Sequence, residues 1–588
     1  MVMKTRALAL CVTLVAAKGL SLAGQALPHS WWAVPAFLWH DTALAAAFWV
    51  VDRALGGPRW IWAVYSAIVA GAAVTVPIAR ILGSPLTVPM FRAAGGPLAD
   101  SVAHEITLAN VAPIVFVLAL GAVLPVLLRR VPRPVRQVGI VAGLACVIAG
   151  PFAATRIDTR GRDRNVVTAI TATWRPRVTA LAAESDWRRS PLGGGVSGVG
   201  SPKAGQIEDL TRLRGAARGA NVVVVVLEST AARYLRAYGA ADDPTPHLTA
   251  IARRALLFEN AYATYPESIK GMIAAFESRS PAFDVPAESH ATVTGAPLAR
   301  VLGAAGYRTA LFHSGRFAYL GMDAIVAAQG FDTAEDAGAI GGNVHSSFGV
   351  DEPSAVRRVL AWIDRLPSNR PFFVTYMPVA GHHPYVTPEP GPFHDPGDLG
   401  AYKNALRYGD ESLGDLVSGL ATRHLLDNTL LVIFGDHGEA FGQHDGNFGH
   451  TLFVYEENVH VPLLMALPRD TEGVRVGRVA SALDIAPTVL DLLGIPASPL
   501  HEGVSLLAPR HQMALFFTDY AVGWLGLRDG CWKGVLEVES GRSQLFDVCA
   551  DPDESQDRAA EFPDRVNAYR DRLQGWSAAA RAAILARQ

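Results

Sequence analysis

The chain has 588 residues, of which half are hydrophobic and only 18% are charged, and its formal net charge is −2. This near-neutral charge gives no support to nucleic acid or another polyanion as a partner. A mean hydropathy of +0.21 is too high for a wholly soluble protein. The length leaves room for about three or four domains.

Five apolar segments crowd the first quarter of the chain, each close to the ~20 residues that cross a bilayer. They lie at about residues 5–26, 31–51, 59–82, 106–128 and 138–155. The first also has features of a signal peptide, since Lys4 and Arg6 precede its apolar run. The four later segments favour a retained helix instead. The sequence therefore predicts a transmembrane domain of five spans over residues 1–155.

Basic residues flanking these segments predict the orientation of the chain in the membrane. They are Lys4, Arg6, Arg53, Arg59 and the four arginines of "RRVPRPVRQ" (129–137). Because such residues stay in the cytoplasm, everything after about residue 156 is expected outside. Asp41 lies within the second segment and is a functional candidate by default. The interpretation favoured here is that it faces the helix bundle or marks a shorter span.

Residues 156–215 are predicted to tether the membrane domain to the rest of the chain. The stretch "DRNVVTAITATWRPRV" (163–178) mixes apolar and basic residues with a tryptophan, a pattern typical of an interfacial helix. The stretch "SPLGGGVSGVGSPKAG" (190–205) has the composition of a flexible linker.

From about residue 216 the pattern changes to that of an α/β domain. "NVVVVVLEST" (221–230) is a continuous β-branched run, as expected of a strand buried on both faces of a mainly parallel sheet. Further apolar runs at 307–313, 371–379 and 428–436 alternate with helical stretches. This alternation predicts an α/β/α sandwich over 216–508.

The predicted strands end in metal-binding types of side chain. These residues are Glu228 after the first run, His313 and Arg316 after 307–312, His382 and His383 after 371–379, and Asp436, His437 and Glu439 after 428–434. The carboxyl ends of strands in such sheets are where ligands gather. Mixed oxygen and nitrogen donors suit Zn²⁺ or Mn²⁺, so the sequence predicts a metal site at this edge.

Ser268 is the candidate nucleophile. In "FENAYATYPESIKGMIAAF" (258–276) an apolar helical pattern opens at Ile269, which puts Ser268 near a helix N-terminus that favours an anionic group. Coordination to a metal would lower the pKa of its hydroxyl. The alternative is that Ser268 is simply an N-cap.

Cys531 and Cys549 flank a predicted hairpin made of residues 533–539 and 544–548. A disulfide and two free thiols are both left open.

Together these stretches resemble the sulfatase/alkaline-phosphatase superfamily, in its membrane-anchored branch with lipoteichoic acid synthases and phosphoethanolamine transferases. The resemblance is carried by "NVVVVVLES", "TPHLTAIARRALLFENAYATYPES", "FFVTYMPVAGHHPY", "GDHGEAFGQH…GH…YEENVHVPLL", "SALDIAPTVLDLLGIP" and "LFDVCADPDESQDRA". The residues that carry the resemblance are spread over roughly 370 positions, and they are more specific for the superfamily than for a substrate. The resemblance also implies a small C-terminal α+β subdomain over 509–588.

The resemblance implies a role for each matching residue. Glu228, Ser268, Asp436 and His437 would hold one divalent metal, Zn or Mn first, with Mg or Ca as further options. Ser268 would also be the nucleophile, where the transferases usually have threonine. His382 and His450 would bind the phosphoryl group or a second metal, and His313 and Arg316 would contact substrate. His444 matches a position shared with many sulfatases, and its role is left open.

Three departures separate the chain from formylglycine sulfatases. Those enzymes carry Cys or Ser in a C/S-x-P-x-R context, whereas this chain has "SIKGM" at Ser268. They pair two aspartates on the first strand, whereas "LEST" supplies only Glu228. His450 stands where many sulfatases have lysine. All three differences favour an unmodified serine that attacks phosphorus.

The implied function is transfer of a phosphoglycerol or phosphoethanolamine type head group. The donor would be a membrane phospholipid and the acceptor an envelope glycan or lipid. The expected location is a bacterial inner membrane, with the catalytic domain periplasmic or extracellular. An anchored phosphodiesterase or sulfate-ester hydrolase is the first alternative, and a non-catalytic scaffold of the same fold is the second.

Overall fold

A computed structural model describes most of the chain. The described residues are 2–25, 27–55, 59–93, 99–174, 187–192, 208–319, 321–346, 349–469, 472–510 and 512–586. Most of the predicted linker 190–205 lies outside these residues, as does the end of the predicted interfacial stretch 163–178.

The first part of the structure is helical. Its helices are α1 (Val2–Leu22), α2 (Ala33–Ala54), α3 (Ile61–Leu82), α4 (Val88–Ala93), α5 (Ala99–His104), α6 (Leu108–Leu127), α7 (Arg133–Ala154) and α8 (Val166–Trp174). Of these, α1, α2, α3, α6 and α7 are long and apolar enough to cross a membrane. Five membrane helices are therefore confirmed by length and composition. Helix α8 packs against α3, and its position relative to a bilayer stays a prediction.

Two buried ion pairs join helices within this bundle. Arg6 of α1 lies 3.4 Å from Asp52 of α2, and Lys18 of α1 lies 3.5 Å from Asp41 of α2. Asp41 is only 2% exposed, which confirms that it faces the bundle. Ionisable groups within a membrane are expected to pair in this way.

The remaining helices and the strands form the second part of the structure. The helices are α9 (Pro246–Ala252), α10 (Ser268–Glu277), α11 (Leu298–Ala304), α12 (Met322–Gln329), α13 (Ala337–Ile340), α14 (Glu352–Ile363), α15 (Asp398–Thr422), α16 (Glu456–Val459), α17 (Ile485–Leu493) and α18 (Pro563–Leu585). The strands are β1 (Asn221–Leu227), β2 (Leu256–Tyr262), β3 (Arg308–His313), β4 (Thr333–Glu335), β5 (Val344–Ser346), β6 (Gly349–Val350), β7 (Phe372–Met377), β8 (Thr429–Gly435), β9 (Ala440–Phe441), β10 (Phe448–Gly449), β11 (His460–Val461), β12 (Leu463–Ala466), β13 (Val474–Ser481), β14 (Ala514–Thr518), β15 (Trp524–Asp529), β16 (Trp532–Glu537) and β17 (Ser543–Asp547).

The main sheet has a parallel centre and a mixed edge. Its strands run in the order β11-β2-β12-β8-β1-β7-β3-β4, with β13 beside β2. Strands β8, β1, β7, β3 and β4 are parallel, whereas β12 and β11 run antiparallel to their neighbours. The parallel centre aligns the carboxyl ends of β8, β1, β7 and β3 on one edge.

Helices cover both faces of this sheet, because successive side chains of each central strand point to opposite sides. Val222 and Val224 of β1 pack in the core under α10, α11, α12 and α17. Val223 and Val225 pack in the core under α9, α14 and α15. Full burial of each such side chain stabilises the folded state by about 1.5–3 kcal/mol. The α/β/α sandwich is confirmed, and this doubly covered sheet holds the strand ends in fixed positions.

The C-terminal part is a separate antiparallel sheet, β14-β15-β16-β17, with α18 packed on β15 and β16. The predicted hairpin is β16–β17. A disulfide joins Cys531 and Cys549 at its end, so this alternative is found rather than two free thiols.

Lys533 is the most buried cation of this sheet, and it pairs with two carboxylates. Its Nζ lies 3.0 Å from Glu456 and 2.9 Å from Glu554, and its side chain is 0% exposed. We expect Lys533→Met to reduce the free energy of unfolding by about 3–5 kcal/mol, because two buried carboxylates lose their partner. Thermal unfolding of the detergent-solubilised protein measures this, with exposed Arg365→Met as control. Equal Tm values for both variants would contradict it.

Candidate metal centre

Four of the predicted residues meet at the carboxyl edge of the main sheet. Glu228 directly follows β1, Asp436 and His437 follow the neighbouring β8, and Ser268 begins α10. The hydroxyl of Ser268 lies within hydrogen-bond distance of both carboxylates, 2.6 Å from Asp436 Oδ2 and 3.1 Å from Glu228 Oε2. His437 Nε2 lies 3.4 Å from Glu228 and 3.6 Å from Asp436. Segments more than 200 residues apart thus converge on one point.

Backbone groups fix the orientation of Asp436. Its Oδ1 accepts the N–H groups of Ser229 at 3.0 Å and His437 at 2.7 Å, which leaves Oδ2 for Ser268. Gly435 permits the close approach of the two strands, because a Cβ there would lie 2.7 Å from the carbonyl oxygen of Thr230. This explains a glycine directly before the acidic ligand.

Ser268 does not act as a helix cap. Glu267 occupies the N-cap position with an extended backbone, and Ser268 is the first helical residue. Its hydroxyl therefore points at the carboxylates rather than back at the amides of α10. The N-cap alternative is therefore excluded, and the nucleophile role of Ser268 stays a prediction.

The environment of this cluster shifts the pKa values of its two carboxyl groups in opposite directions. Burial and the negative charge of Glu228 raise the pKa of Asp436 to about 7. Burial alone would raise the pKa of Glu228, but its hydrogen bond with His437 and the charge of that ring hold it well below the usual value. Burial would lower the pKa of His437, yet Asp436 and Glu228 raise it. A cation entering the cluster must displace these protons, so its affinity should rise with pH.

The residues present fit a divalent metal ion. Ligand atoms of Glu228, Asp436 and His437 all lie within 4.8 Å of one another, and all three side chains are buried. Two carboxylates this deep in a protein require compensating positive charge. Carboxylate and imidazole donors suit Zn²⁺ or Mn²⁺, and the hydroxyl of Ser268 is placed to complete the set. The donor chemistry does not choose between these ions.

The histidines around this cluster share one hydrogen-bonding arrangement. In each ring Nδ1 bonds an oxygen: Met377 O for His313 (3.0 Å), His383 O for His382 (2.7 Å), Gly438 O for His437 (2.9 Å) and Glu439 for His450 (2.8 Å). Since carbonyl and carboxylate oxygens accept, Nδ1 carries the proton. In the neutral ring the lone pair then lies on Nε2, which is the atom that can bind a metal ion or accept a proton.

A cavity opens over the cluster. The predicted residues that line it are Glu228, Ser268, His313, Arg316, His382, His437 and His450. The structure thus brings together the predicted nucleophile, metal ligands and substrate contacts, with Asp436 directly beneath. The individual roles of the lining residues stay predictions.

Three residues at or next to this cavity have no role that the sequence alone predicts. Glu439 was noted only as a strand-end residue, yet it bonds both His450 (2.8 Å) and the hydroxyl of Tyr385 (2.7 Å). Tyr319 and Tyr520 line the cavity as well. Glu439 stands in the same "GDHGE" run as the ligands, which is the signal that pointed to it. Nothing in the local pattern around either tyrosine indicates the site.

His444 is not among the described residues that line the cavity. Its Nδ1 bonds Glu457 at 2.7 Å, and its ring stacks on Tyr455 with centroids 3.7 Å apart. We expect His444→Gln to lower kcat/KM less than about tenfold while costing about 1–3 kcal/mol of stability. Steady-state rates and Tm measured alongside His450→Gln check this. A rate loss as large as that of His450→Gln, with unchanged Tm, would contradict it.

Segments that follow the membrane helices reach the wall of this cavity. Thr87, just before α4, donates to the backbone carbonyl of Tyr520 at 2.9 Å. Arg162, beyond α7, pairs with Asp445 at 2.9 Å in the turn between β9 and β10. The cavity therefore lies next to the membrane-helix region.

Comparison with known proteins gives the family of the second part of the chain. Residues 220–495 match the family model described as Sulfatase. The name sulfatase domain is used for this matched part of the chain. This part contains β1, α10 and β8, and with them the whole Glu228–Ser268–Asp436–His437 cluster.

Curated relatives match parts of the sulfatase domain. Mouse arylsulfatase K is 34% identical over 176 residues, which is 26% of this chain and 31% of that protein. Choline-sulfatase of Rhizobium meliloti is 34% identical over 168 residues, again 26% of this chain and 31% of that protein. The match therefore spans about a third of the length of these relatives.

Solved structures share the fold. A protein of the alkaline phosphatase superfamily from Vibrio parahaemolyticus has a TM-score of 0.53 at 20% identity, covering 64% of this chain and 96% of that one. The lipoteichoic acid synthase LtaP of Listeria monocytogenes has a TM-score of 0.52 at 18% identity, covering 65% and 96%. The sulfatase domain thus has the fold of the sulfatase/alkaline-phosphatase superfamily.

Proposed function

We propose that this protein is a membrane-anchored phosphotransferase. Its reaction would move a phosphoglycerol or phosphoethanolamine type head group from a membrane phospholipid to an envelope glycan or lipid, through a phospho-serine intermediate on Ser268. The proposal places it in a bacterial inner membrane, with the sulfatase domain on the periplasmic or extracellular side.

The position of the Ser268 hydroxyl carries this proposal. It lies 2.6 Å from Asp436 and 3.1 Å from Glu228 at the start of α10. The context "SIKGM" lacks the proline and arginine of formylglycine sulfatases. Lys270, which stands where their proline is, pairs instead with Asp519 at 2.9 Å. An unmodified serine is therefore the expected nucleophile.

The residues of the site suit an in-line displacement at phosphorus. Ser268 Oγ loses its proton and forms a bond to phosphorus as the bond to the diglyceride oxygen breaks, and the freed diglyceride alcohol takes up one proton in exchange. A divalent ion in the cluster supplies the positive charge that lowers the pKa of the hydroxyl and offsets charge on the phosphoryl oxygens. An acceptor hydroxyl then displaces Ser268, with Nε2 of a nearby histidine placed to take its proton.

The contacts made by the segments that follow the membrane helices support a lipid donor. Thr87 bonds the backbone of Tyr520, a cavity-lining residue, and Arg162 pairs with Asp445 next to the cavity. A donor whose acyl chains stay in the bilayer can present its head group only to a site this close to the membrane region. The bundle therefore favours a lipid substrate over a soluble one.

Hydrolysis is the second candidate, and the curated relatives favour it. Arylsulfatase K and choline-sulfatase are named for sulfate-ester substrates. The same cavity would accept water in place of the acceptor hydroxyl, giving an anchored phosphodiesterase or sulfate-ester hydrolase.

Labelled lipids separate the two candidates by their products. Purified protein is incubated with head-group-labelled phosphatidylglycerol or phosphatidylethanolamine, together with an envelope glycan or lipid extract. Transfer predicts label in the acceptor fraction and unlabelled diglyceride. Free head group alone would support hydrolysis and overturn transfer.

A further inference from the structure

A second cluster of ligating side chains lies away from the metal centre, where a membrane-side loop meets the sulfatase domain. It consists of His104 at the end of α5, Glu105 directly after it, and His383 in the loop after β7. One ligand atom from each lies within 4.8 Å of the other two. We propose that these three residues form a further metal site, which takes Zn²⁺ or a similar divalent ion.

The donor set matches the chemistry of zinc. Two imidazole nitrogens and one carboxylate oxygen make a three-residue set that leaves a fourth, tetrahedral position for water. The rings of His104 and His383 lie 5.6 Å apart at an interplanar angle of 82°, so they approach one point from different directions. His104 is exposed and the other two are half-buried, which leaves a path for an ion to enter.

A neighbouring side chain holds the carboxylate in place. Asn110 Nδ2 donates to Glu105 Oε2 at 3.0 Å and to the backbone carbonyl of Glu105 at 2.9 Å. Both bonds come from one amide group of α6, so the carboxylate is fixed relative to a membrane helix. Outer hydrogen bonds of this kind are the usual support of metal ligands.

This site would join two parts of the chain that are 278 positions apart. His104 and Glu105 lie in the connection between α3 and α6, which the charge pattern places on the same side of the membrane as the sulfatase domain. His383 directly follows His382, which lines the cavity. An ion bound here would link the loop after β7 to the connection between α3 and α6. The two metal clusters share no residue, so the site does not depend on the proposed function.

Zinc counting on the full-length protein in detergent tests the site. Asp436→Asn provides the background, since it removes a ligand of the metal centre and leaves His104, Glu105 and His383 unchanged. The chelator-stripped protein is titrated with Zn²⁺ against a chromophoric chelator. We expect His104→Ala to bind one equivalent fewer than its background. Glu105→Gln, which keeps the side-chain shape, should bind that equivalent at least about tenfold more weakly.

His394→Ala is the matched control, because it removes an exposed histidine outside the cluster. It should bind as many equivalents as the background. Zinc binding equal to the background in both His104→Ala and Glu105→Gln would overturn the proposal. A loss of the same size in His394→Ala would overturn it too, since the effect would then not belong to this cluster.

Discussion

Ser268→Ala is expected to lower kcat at least about a thousandfold, the scale of losing a catalytic nucleophile. The structure gives the reason, because the Ser268 hydroxyl is the group at the start of α10 that reaches both Glu228 and Asp436. Release of head group from labelled phospholipid, with and without acceptor, is the measurement. The metal content of the variant should fall little, since Glu228, Asp436 and His437 remain.

Ser418→Ala is the matched control, because Ser418 is exposed on α15 and is not among the described residues that line the cavity. It should keep wild-type turnover. Turnover of Ser268→Ala within about tenfold of this control would show that another group attacks the substrate.

Asp436→Asn is expected to remove the metal ion of the Glu228–Ser268–Asp436–His437 cluster and, with it, the activity. The change preserves the shape of the side chain but deletes the negative charge that faces Ser268. The amide nitrogen that replaces one carboxylate oxygen donates hydrogen bonds and cannot accept one from the serine hydroxyl. We expect metal affinity to fall by at least about a hundredfold, with turnover lost in proportion. Metal per chain, measured by elemental analysis after desalting, is the direct readout.

Asp415→Asn makes the same chemical change at an exposed position of α15 and should keep both metal and turnover. If Asp436→Asn kept the metal content of this control while its Tm was unchanged, the cluster at 228, 268, 436 and 437 would not be the metal centre.

Much of the site could be predicted because its chemistry follows directly from the strands. Glu228 and Asp436 each stand immediately after a continuous apolar run, and adjacent parallel strands bring such positions together. Ser268 is indicated by the onset of the helical pattern at Ile269. In these cases local sequence and sheet geometry give the same answer.

Other features depend on long-range packing that no local pattern encodes. Strands β11 and β12 are short and pair antiparallel at the edge of the sheet, which a pattern of alternating strands and helices does not predict. The contact of Thr87 with Tyr520 joins positions more than 400 residues apart. The motif gave His444 no definite role, and its bond to Glu457 and its stacking on Tyr455 appear only in the folded structure.

The cysteine pair is a further case in which the sequence predicts the position of a feature and the fold decides its state. The sequence placed Cys531 and Cys549 at the ends of a hairpin but could not choose between thiols and a disulfide. The register of β16 against β17 decides it, because Trp532 pairs with Asp547 and brings the flanking cysteines together.

Mass spectrometry of the Ser268 peptide tests the central claim most directly. Protein is incubated with phospholipid donor in the absence of acceptor, quenched in acid and digested. The account predicts a phosphorus-containing head-group adduct on Ser268, absent from Ser268→Ala. A Ser268 peptide whose mass is lower by two hydrogens, as oxidation to formylglycine would leave it, would contradict the account, as would an adduct on any other residue.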